Sequence, residues 1–188
     1  MISVRASSAI WAPLRRPLLL LPTVIILTVP VGLLAGGLVG FRVNLTPSEP
    51  LGLWYVQPLK RPVAVGDRVF VCPPQSKAMH LARERGYLRG GLCPSGYAPL
   101  IKTIVATAGH RVDVDRVVAI DGVTLAHSTL LRRDGKGRTL TAYTGGMISA
   151  GEVFVHSSFA GSYDSRYFGP VPAPGILGLA EEVLTYAP

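Results

Sequence analysis

The chain has 188 residues, of which 48% are hydrophobic, and it carries a formal net charge of +8 at pH 7. This length suits one domain of ordinary size with an appendage. The basic residues are scattered and are not interleaved with aromatic side chains, which argues against a nucleic-acid-binding protein. Much of the positive charge is explained by membrane topology and by attraction to anionic lipid.

The first predicted element is a long apolar segment over residues 17–41, PLLLLPTVIILTVPVGLLAGGLVGF, which contains no charged residue. A helix needs about 20 apolar residues to cross a bilayer, so this segment predicts a single transmembrane anchor. A buried core helix and a cleaved signal peptide are the alternatives, but both normally have a shorter apolar region.

The basic residues on either side of this segment predict its orientation. Arg5, Arg15 and Arg16 precede it, whereas Arg42 alone follows it closely. Basic residues are retained on the cytoplasmic side of a membrane. We therefore expect a single-pass protein of a bacterial inner membrane, with residues 1–16 in the cytoplasm and a domain of residues 42–188 in the periplasm.

The rest of the chain has the pattern of a mostly β domain. Apolar, β-prone segments alternate with Gly-containing turns, and the Asp-Gly pair in VVAIDGVTLA predicts a tight hairpin. LRRDGKGRTL repeats that turn signal, so its basic residues are expected at a solvated hairpin tip. Many short strands at close spacing predict a coiled antiparallel or barrel-like sheet. Strands are expected in LGLWYVQ, RVFVCP, LIKTIVATAGHRVDV and GEVFVHS, and GILGLAEEVLTYAP is expected to close the sheet.

Two cysteines bound an insert at residues 72–93, whose middle part, SKAMHLARERGYL, has the composition of a helix. Outside the inner membrane the compartment is oxidising, which favours a disulfide between Cys72 and Cys93. A metal site is not expected, because His80 is the one nearby ligand type and has no companion at ligand spacing. A redox pair is more often spaced as C-x-x-C.

Ser48 lies between Pro47 and Pro50, a few residues beyond the apolar segment. The two prolines restrict the backbone and remove competing N–H donors. This pattern predicts either a stiff linker or a serine whose hydroxyl and N–H are held out for chemistry. A serine hydroxyl is a poor nucleophile until a neighbouring base removes its proton.

Lys102 is the candidate base. It lies in PLIKTIVATAG, which is otherwise uncharged, and burial lowers the pKa of a lysine toward neutrality. Snorkelling to water from a strand edge is the alternative interpretation of this lysine. The chain contains no G-x-S-x-G elbow, and no histidine has a recognisable triad context. These histidines are expected at the surface or at strand ends: His80, His110, His127 and His156.

Four motifs follow one another along the chain: TPSEPLGLW, VGDRVFV, LIKTIVATAGHRV and SYDSRYFGPVP. They have the order and spacing of the conserved boxes of type I signal peptidases of the Ser/Lys class. The chain resembles this family over residues 42–180, and more closely its conjugative-transfer (TraF-type) branch. The features typical of the branch are the small size, the single anchor, NLTPSEPLGL and the CPP…RGYL…CP insert.

The resemblance implies a coiled β fold and a role for each matching residue. It implies that the Ser48 N–H donates to the oxyanion. Glu49 departs from the family, which commonly has methionine there, and a carboxylate enters lipid less readily. By resemblance, Ser48 is the nucleophile, Lys102 the general base, Thr46 an oxyanion-side hydroxyl, Ser162 the group that orients the lysine, and Asp164 with Arg166 a structural pair.

The resulting hypothesis is a membrane-anchored serine endopeptidase that processes exported precursors. Its substrate is expected to be a membrane-embedded, pilin-like precursor of a conjugation apparatus, which is cleaved and in this branch can be cyclised. The expected partners are this precursor and the lipid bilayer, and no cofactor is expected. The alternatives are a general leader peptidase and a non-catalytic envelope assembly factor that keeps the fold as a binding module.

Overall fold

The computed structural model describes residues 36–187. The predicted cytoplasmic segment, residues 1–16, and most of the predicted anchor lie outside the described residues. Among residues 36–187, no helix is long and apolar enough to cross a membrane. Phe41, which the sequence places at the end of the anchor, is the first residue of a β-strand.

Most strands belong to one seven-stranded sheet whose neighbouring strands are all antiparallel. These strands are β1 (Phe41–Asn44), β2 (Leu51–Gln57), β3 (Arg68–Val71), β4 (Leu100–Thr107), β9 (Glu152–His156), β10 (Val171–Pro172) and β11 (Ile176–Tyr186). Their order across the sheet is β1-β2-β11-β3-β4-β9-β10. The C-terminal strand β11 therefore lies inside the sheet, between β2 and β3, and does not close it.

The sheet curls because its ladders contain irregularities. Register shifts occur twice along β11, once against β2 and once against β3, and again between β4 and β9. Such bulges bend a strand and increase its twist. The prediction of a mostly β, coiled antiparallel domain is confirmed.

A second, four-stranded sheet follows the turn after β4. It contains β5 (Arg111–Val114), β6 (Val118–Ile120), β7 (Val123–Thr124) and β8 (Gly146–Met147), in the order β7-β6-β5-β8. The predicted Asp-Gly hairpin joins β6 to β7, with φ of 50° at Asp121 and 81° at Gly122, as a type I′ turn requires.

Apolar side chains pack on both faces of the seven-stranded sheet. Val69, Ile104 and Val155 belong to the larger cluster. On the other face, Trp54, Phe70 and Ile101 form a smaller one. Because side chains alternate along a strand, Ile101 and Lys102 point to opposite faces of β4.

The insert contains the predicted helix, α1 (Lys77–Glu84), whose first turn is capped by the Ser76 side chain. A second short helix, α2 (Ser165–Phe168), follows β9, and a 3-10 turn over Ala173–Gly175 precedes β11. Cys72 and Cys93 are disulfide-bonded, with their Cα atoms 5.6 Å apart. The predicted pairing is confirmed.

Reduction of this disulfide should destabilise the domain without removing any group from the candidate site. The cysteines are 21 positions apart, and opening a loop of this size costs about 3 kcal/mol in the chain-entropy model. We expect the urea midpoint, followed by tryptophan fluorescence, to fall in reductant, while activity below that midpoint is lost only in part. Alkylation that finds two free thiols in protein purified without reductant would contradict the prediction.

Candidate active site

The loop that carries Ser48 is organised by Asn44, the last residue of β1. Its side-chain amide donates to the carbonyls of Thr46 (2.9 Å), Glu49 (2.9 Å) and Pro50 (3.0 Å). Its carbonyl oxygen accepts from the Thr46 backbone N–H at 3.1 Å and the Thr46 hydroxyl at 2.8 Å. The buried Asn44 side chain thus provides hydrogen-bond partners for several backbone groups of a loop that is not paired with any strand. Sequence reasoning missed Asn44, although an asparagine at a strand end is a common turn signal.

Ser48 is half-buried in this loop. Its hydroxyl lies 3.5 Å from the Thr46 hydroxyl, and its carbonyl accepts a hydrogen bond from the Ser157 hydroxyl. Within residues 36–187 no acceptor bonds the Ser48 N–H, and Pro47 has no N–H to compete with it. A free N–H beside a serine hydroxyl is the arrangement that an oxyanion hole needs.

Lys102 lies in the interior strand β4, directly opposite Val69 of β3. The residue is 3% exposed, so it does not snorkel to water from a strand edge. Burial lowers the pKa of Lys102, and the charges of Asp164 and Glu49 only partly oppose this effect. The amine is therefore more easily neutral than an exposed lysine, and a neutral amine can accept a proton.

Ser48 and Lys102 line the same cleft, which has a volume of about 200 Å3. Thr46 lies in the wall beside them, and the rest is largely apolar. Its other lining residues are Arg42, Val43, Asn44, Leu45, Phe70, Tyr87, Arg89, Ala98, Pro99, Leu100 and Ile101. The structure thus brings together three of the predicted site residues at one opening.

Glu49 follows Ser48 but turns into the protein. Its side chain is 10% exposed and pairs with the Arg68 guanidinium at 3.4 Å. Burial raises the pKa of Glu49, against the opposing charge of Arg68. Arg68 also bonds Glu182 and lies over the Trp54 ring at 5.4 Å. The ion pair gives the carboxylate at this position a partner within the protein.

Ser162 is buried, at 4% exposure, but its hydroxyl has no hydrogen-bond partner within residues 36–187. Its backbone is fixed, since its N–H donates to Phe159 and its carbonyl accepts from Arg166. The orientation of the lysine amine by Ser162 stays a prediction.

Asp164 and Arg166 form a fully buried ion pair with two hydrogen bonds of 2.8 Å. Asp164 also accepts from the Ser157 N–H at 3.1 Å, and the Ser157 hydroxyl bonds the Ser48 carbonyl. The pair is thus connected to the Ser48 loop through one residue. Sequence reasoning missed Ser157, which comes from a loop and has no motif signal.

His156, at the end of β9, is also buried, and its Nε2 has no hydrogen-bond partner within residues 36–187. Burial lowers the pKa of His156, with a smaller opposing effect of Asp164. In the same part of the chain, no group of three or more His, Cys, Asp and Glu side chains is placed to hold a metal ion.

Comparison with known proteins finds a matching family, named relatives and a distantly similar structure. The family model described as signal peptidase, peptidase S26, matches residues 14–185. A probable conjugal transfer protein TraF of Sinorhizobium fredii is 61% identical over 149 residues, covering 79% of each chain. A plasmid transfer protein TraF of Escherichia coli is 39% identical over 160 residues, covering 82% of this chain and 89% of that protein. A crystal structure of a signal peptidase I from Enterococcus faecalis aligns with a TM-score of 0.38 and 20% identity, covering 64% of this chain and 97% of that one.

Proposed function

Because the chain belongs to the signal peptidase family, peptidase S26, we propose that it is a serine endopeptidase in which Ser48 is the nucleophile and Lys102 the general base. The observation that carries this proposal is the shared cleft, in which a half-buried serine opens beside a lysine whose pKa is lowered by burial. Relatives named as conjugal transfer proteins support the proposal that its substrate belongs to a conjugation apparatus.

In the first step, the Ser48 hydroxyl attacks the scissile carbonyl while the neutral Lys102 amine takes its proton. The negative charge that develops on the carbonyl oxygen is met by the Ser48 N–H, with the Thr46 hydroxyl close to it. Collapse of the tetrahedral intermediate breaks the peptide bond. Lys102 returns the proton to the leaving amine, and an ester remains on Ser48.

In the second step, an incoming nucleophile resolves the ester. Water gives a linear product with a free carboxylate. The amino group of the substrate's own N-terminus instead gives a cyclic product, which is lighter by one water. In both cases Lys102 takes a proton from the nucleophile, and the Ser48 hydroxyl is restored.

The substrate we propose is a pilin-like precursor embedded in the bacterial inner membrane. The enzyme would be anchored by residues 17–41, with residues 1–16 in the cytoplasm and the β domain in the periplasm. The disulfide supports this location, because such bonds persist in oxidising compartments. A serine a few residues beyond the anchor would meet scissile bonds near the membrane surface.

Intact-mass analysis of a candidate pilin precursor co-expressed with the enzyme tests this proposal. We expect a shortened product with wild-type protein and unprocessed precursor with Ser48→Ala. The mass also separates hydrolysis from cyclisation. Processing of ordinary secreted precursors instead would indicate a general leader peptidase. No processing of either class would indicate a non-catalytic assembly factor.

The rate of processing should rise with pH through the lowered pKa of Lys102, because only the neutral amine accepts a proton.

The free energy of unfolding should also rise with pH, because burial lowers the pKa of Lys102 in the folded state only. The unfolded chain binds more protons than the folded one between the lowered pKa and about 10.5, so the free energy of unfolding increases with pH there. Urea titrations of wild type and Lys102→Met across this range measure the effect. An equal slope for both proteins would contradict it.

The residue before the cut should be small, with alanine favoured. An extended peptide laid beside a β domain places alternate side chains in pockets. The sequence suggests that Leu51, Leu53 and Ile101 form the walls of such a pocket. In the structure Ile101 lines the cleft and Leu51 and Leu53 do not. Phe70 and Leu100 are its other large apolar walls. We expect leucine or phenylalanine before the cut to stop processing of a membrane-embedded substrate. Unchanged processing would mean that selectivity comes from membrane anchoring alone.

A further inference from the structure

One wall of the cleft is supplied by the disulfide-closed insert, through Tyr87 and Arg89. The Tyr87 hydroxyl bonds Asp134, and the Arg138 guanidinium lies 5.5 Å from the centre of its ring. The Arg89 carbonyl accepts from the Ala98 N–H at 2.9 Å. This wall is therefore held from three sides: by the disulfide, by the Asp134 loop and by the chain that leads into β4.

Arg89 is exposed, and within residues 36–187 its guanidinium has no hydrogen-bond or salt-bridge partner. Both other arginines of the insert have hydrogen-bond partners: Arg83 donates to the Leu88 carbonyl, and Arg85 to the Thr139 carbonyl. Arg89 thus has a fixed backbone and an unpaired side chain at the cleft. It is positioned to bind an anionic group of a ligand that enters from solvent.

All charged residues that line the described cleft are basic. Its described lining residues include Arg42, Arg89 and Lys102 but no aspartate or glutamate. Burial makes Lys102 readily neutral, so the two arginines carry the charge. The carboxylate charges that act on Lys102 come from Asp164 and Glu49, which do not line the cleft and are paired with Arg166 and Arg68.

From these observations we propose that Arg89 is a specificity residue that binds a carboxylate of the substrate close to the scissile bond. This inference rests on the proposed peptidase function and names the chemistry of its substrate. The planar guanidinium can hold a carboxylate by two parallel hydrogen bonds. Arg42, another lining residue, adds positive charge to the cleft. The carboxylate is either an Asp or Glu side chain near the cut or the substrate's own C-terminal carboxylate.

Peptide binding to the full chain carrying Ser48→Ala tests recognition separately from chemistry. The probes are fluorescent peptides with alanine before the expected cut, and with Glu or Gln at each neighbouring position. Each peptide is made with a free C-terminal acid and with an amide. We expect the best acidic peptide to bind about 2-fold to 5-fold more tightly than its neutral counterpart. Salt should reduce this preference, because an exposed ion pair is screened. The position of the effective carboxylate separates the side-chain source from the terminal one.

Variants of the arginine identify the residue responsible. Arg89→Gln, made in the Ser48→Ala chain, should abolish the preference, Arg89→Lys should restore part of it, and Arg89→Glu should reverse it toward a lysine-containing peptide. Arg132→Gln is the matched control, since Arg132 is exposed and does not line the cleft. Equal binding of acidic and neutral peptides, or a preference that survives Arg89→Gln, would overturn the inference. Acid-selective peptide binding by a wild-type chain that processes no membrane-embedded precursor would overturn the peptidase function and leave only carboxylate binding by Arg89.

Discussion

Replacing Ser48 by alanine, or Lys102 by arginine or methionine, should lower the rate of processing by at least about a thousandfold. Alanine removes the nucleophile. Arginine stays protonated at any useful pH and methionine has no basic atom, so neither can accept the serine proton. Turnover of a precursor by purified variants, with circular dichroism as the check on folding, measures the effect.

The two residues should behave as a unit in this assay. Once either is lost the acyl-enzyme step is gone, so the double variant should be scarcely slower than either single one. Ser162→Ala should be milder, because it would remove an orienting contact and keep the base. Near-normal turnover by Lys102→Arg would end the general-base assignment.

Replacing Arg166 by alanine should destabilise the domain by about 3–5 kcal/mol. Arg166 and Asp164 are both 0% exposed, so the loss of one leaves the other charge buried and unpaired. The variant also deprives the Phe159 and Ser162 carbonyls of a donor. Chemical denaturation of the full chain measures the loss, and a substantial fall in turnover should accompany it because the Ser48 loop is connected to this pair.

An exposed ion pair provides the control for that prediction. Arg61 and Asp67 are in contact at 2.6 Å, but their side chains are 54% and 13% exposed, against 0% for both members of the Asp164–Arg166 pair. Surface pairs of this kind contribute little to stability, so Arg61→Ala should shift the denaturation midpoint far less. Equal losses for the two variants would show that burial of the Asp164–Arg166 pair is not what makes it important.

The features of the fold that the sequence predicts are those that depend on residues close together in the chain. Most strands, the helix of the insert and the Asp-Gly hairpin follow from periodicity or turn chemistry within a few residues. The sequence does not predict β1, β8 or β10, and β1 begins at the last residue of the predicted anchor. Sheet order does not follow from local signals, because it depends on pairings between distant segments. The interior position of β11, and the division of LIKTIVATAGHRVDV between two sheets, are of that kind.

The candidate site likewise contains residues that the sequence predicts and residues whose role only the fold reveals. Ser48 and Lys102 are recognisable because each breaks a local rule: a serine between prolines and a lysine in an apolar strand. Asn44 and Ser157 act through hydrogen bonds to backbone carbonyls that only the folded loop presents. Glu49 looks out of place in sequence, and its partner Arg68 becomes apparent only when β3 is placed beside the loop.

Covalent labelling tests most directly whether Lys102 makes Ser48 nucleophilic. An alanine-containing peptide that ends in a diphenyl phosphonate would react with the serine oxygen, which displaces phenol from phosphorus. Digestion and mass spectrometry then locate the adduct. We expect the label on Ser48 in wild type, at a rate that rises with pH, and almost none in Lys102→Arg or Ser48→Ala. A label on another residue, or an undiminished rate in Lys102→Arg, would contradict the Ser48–Lys102 assignment.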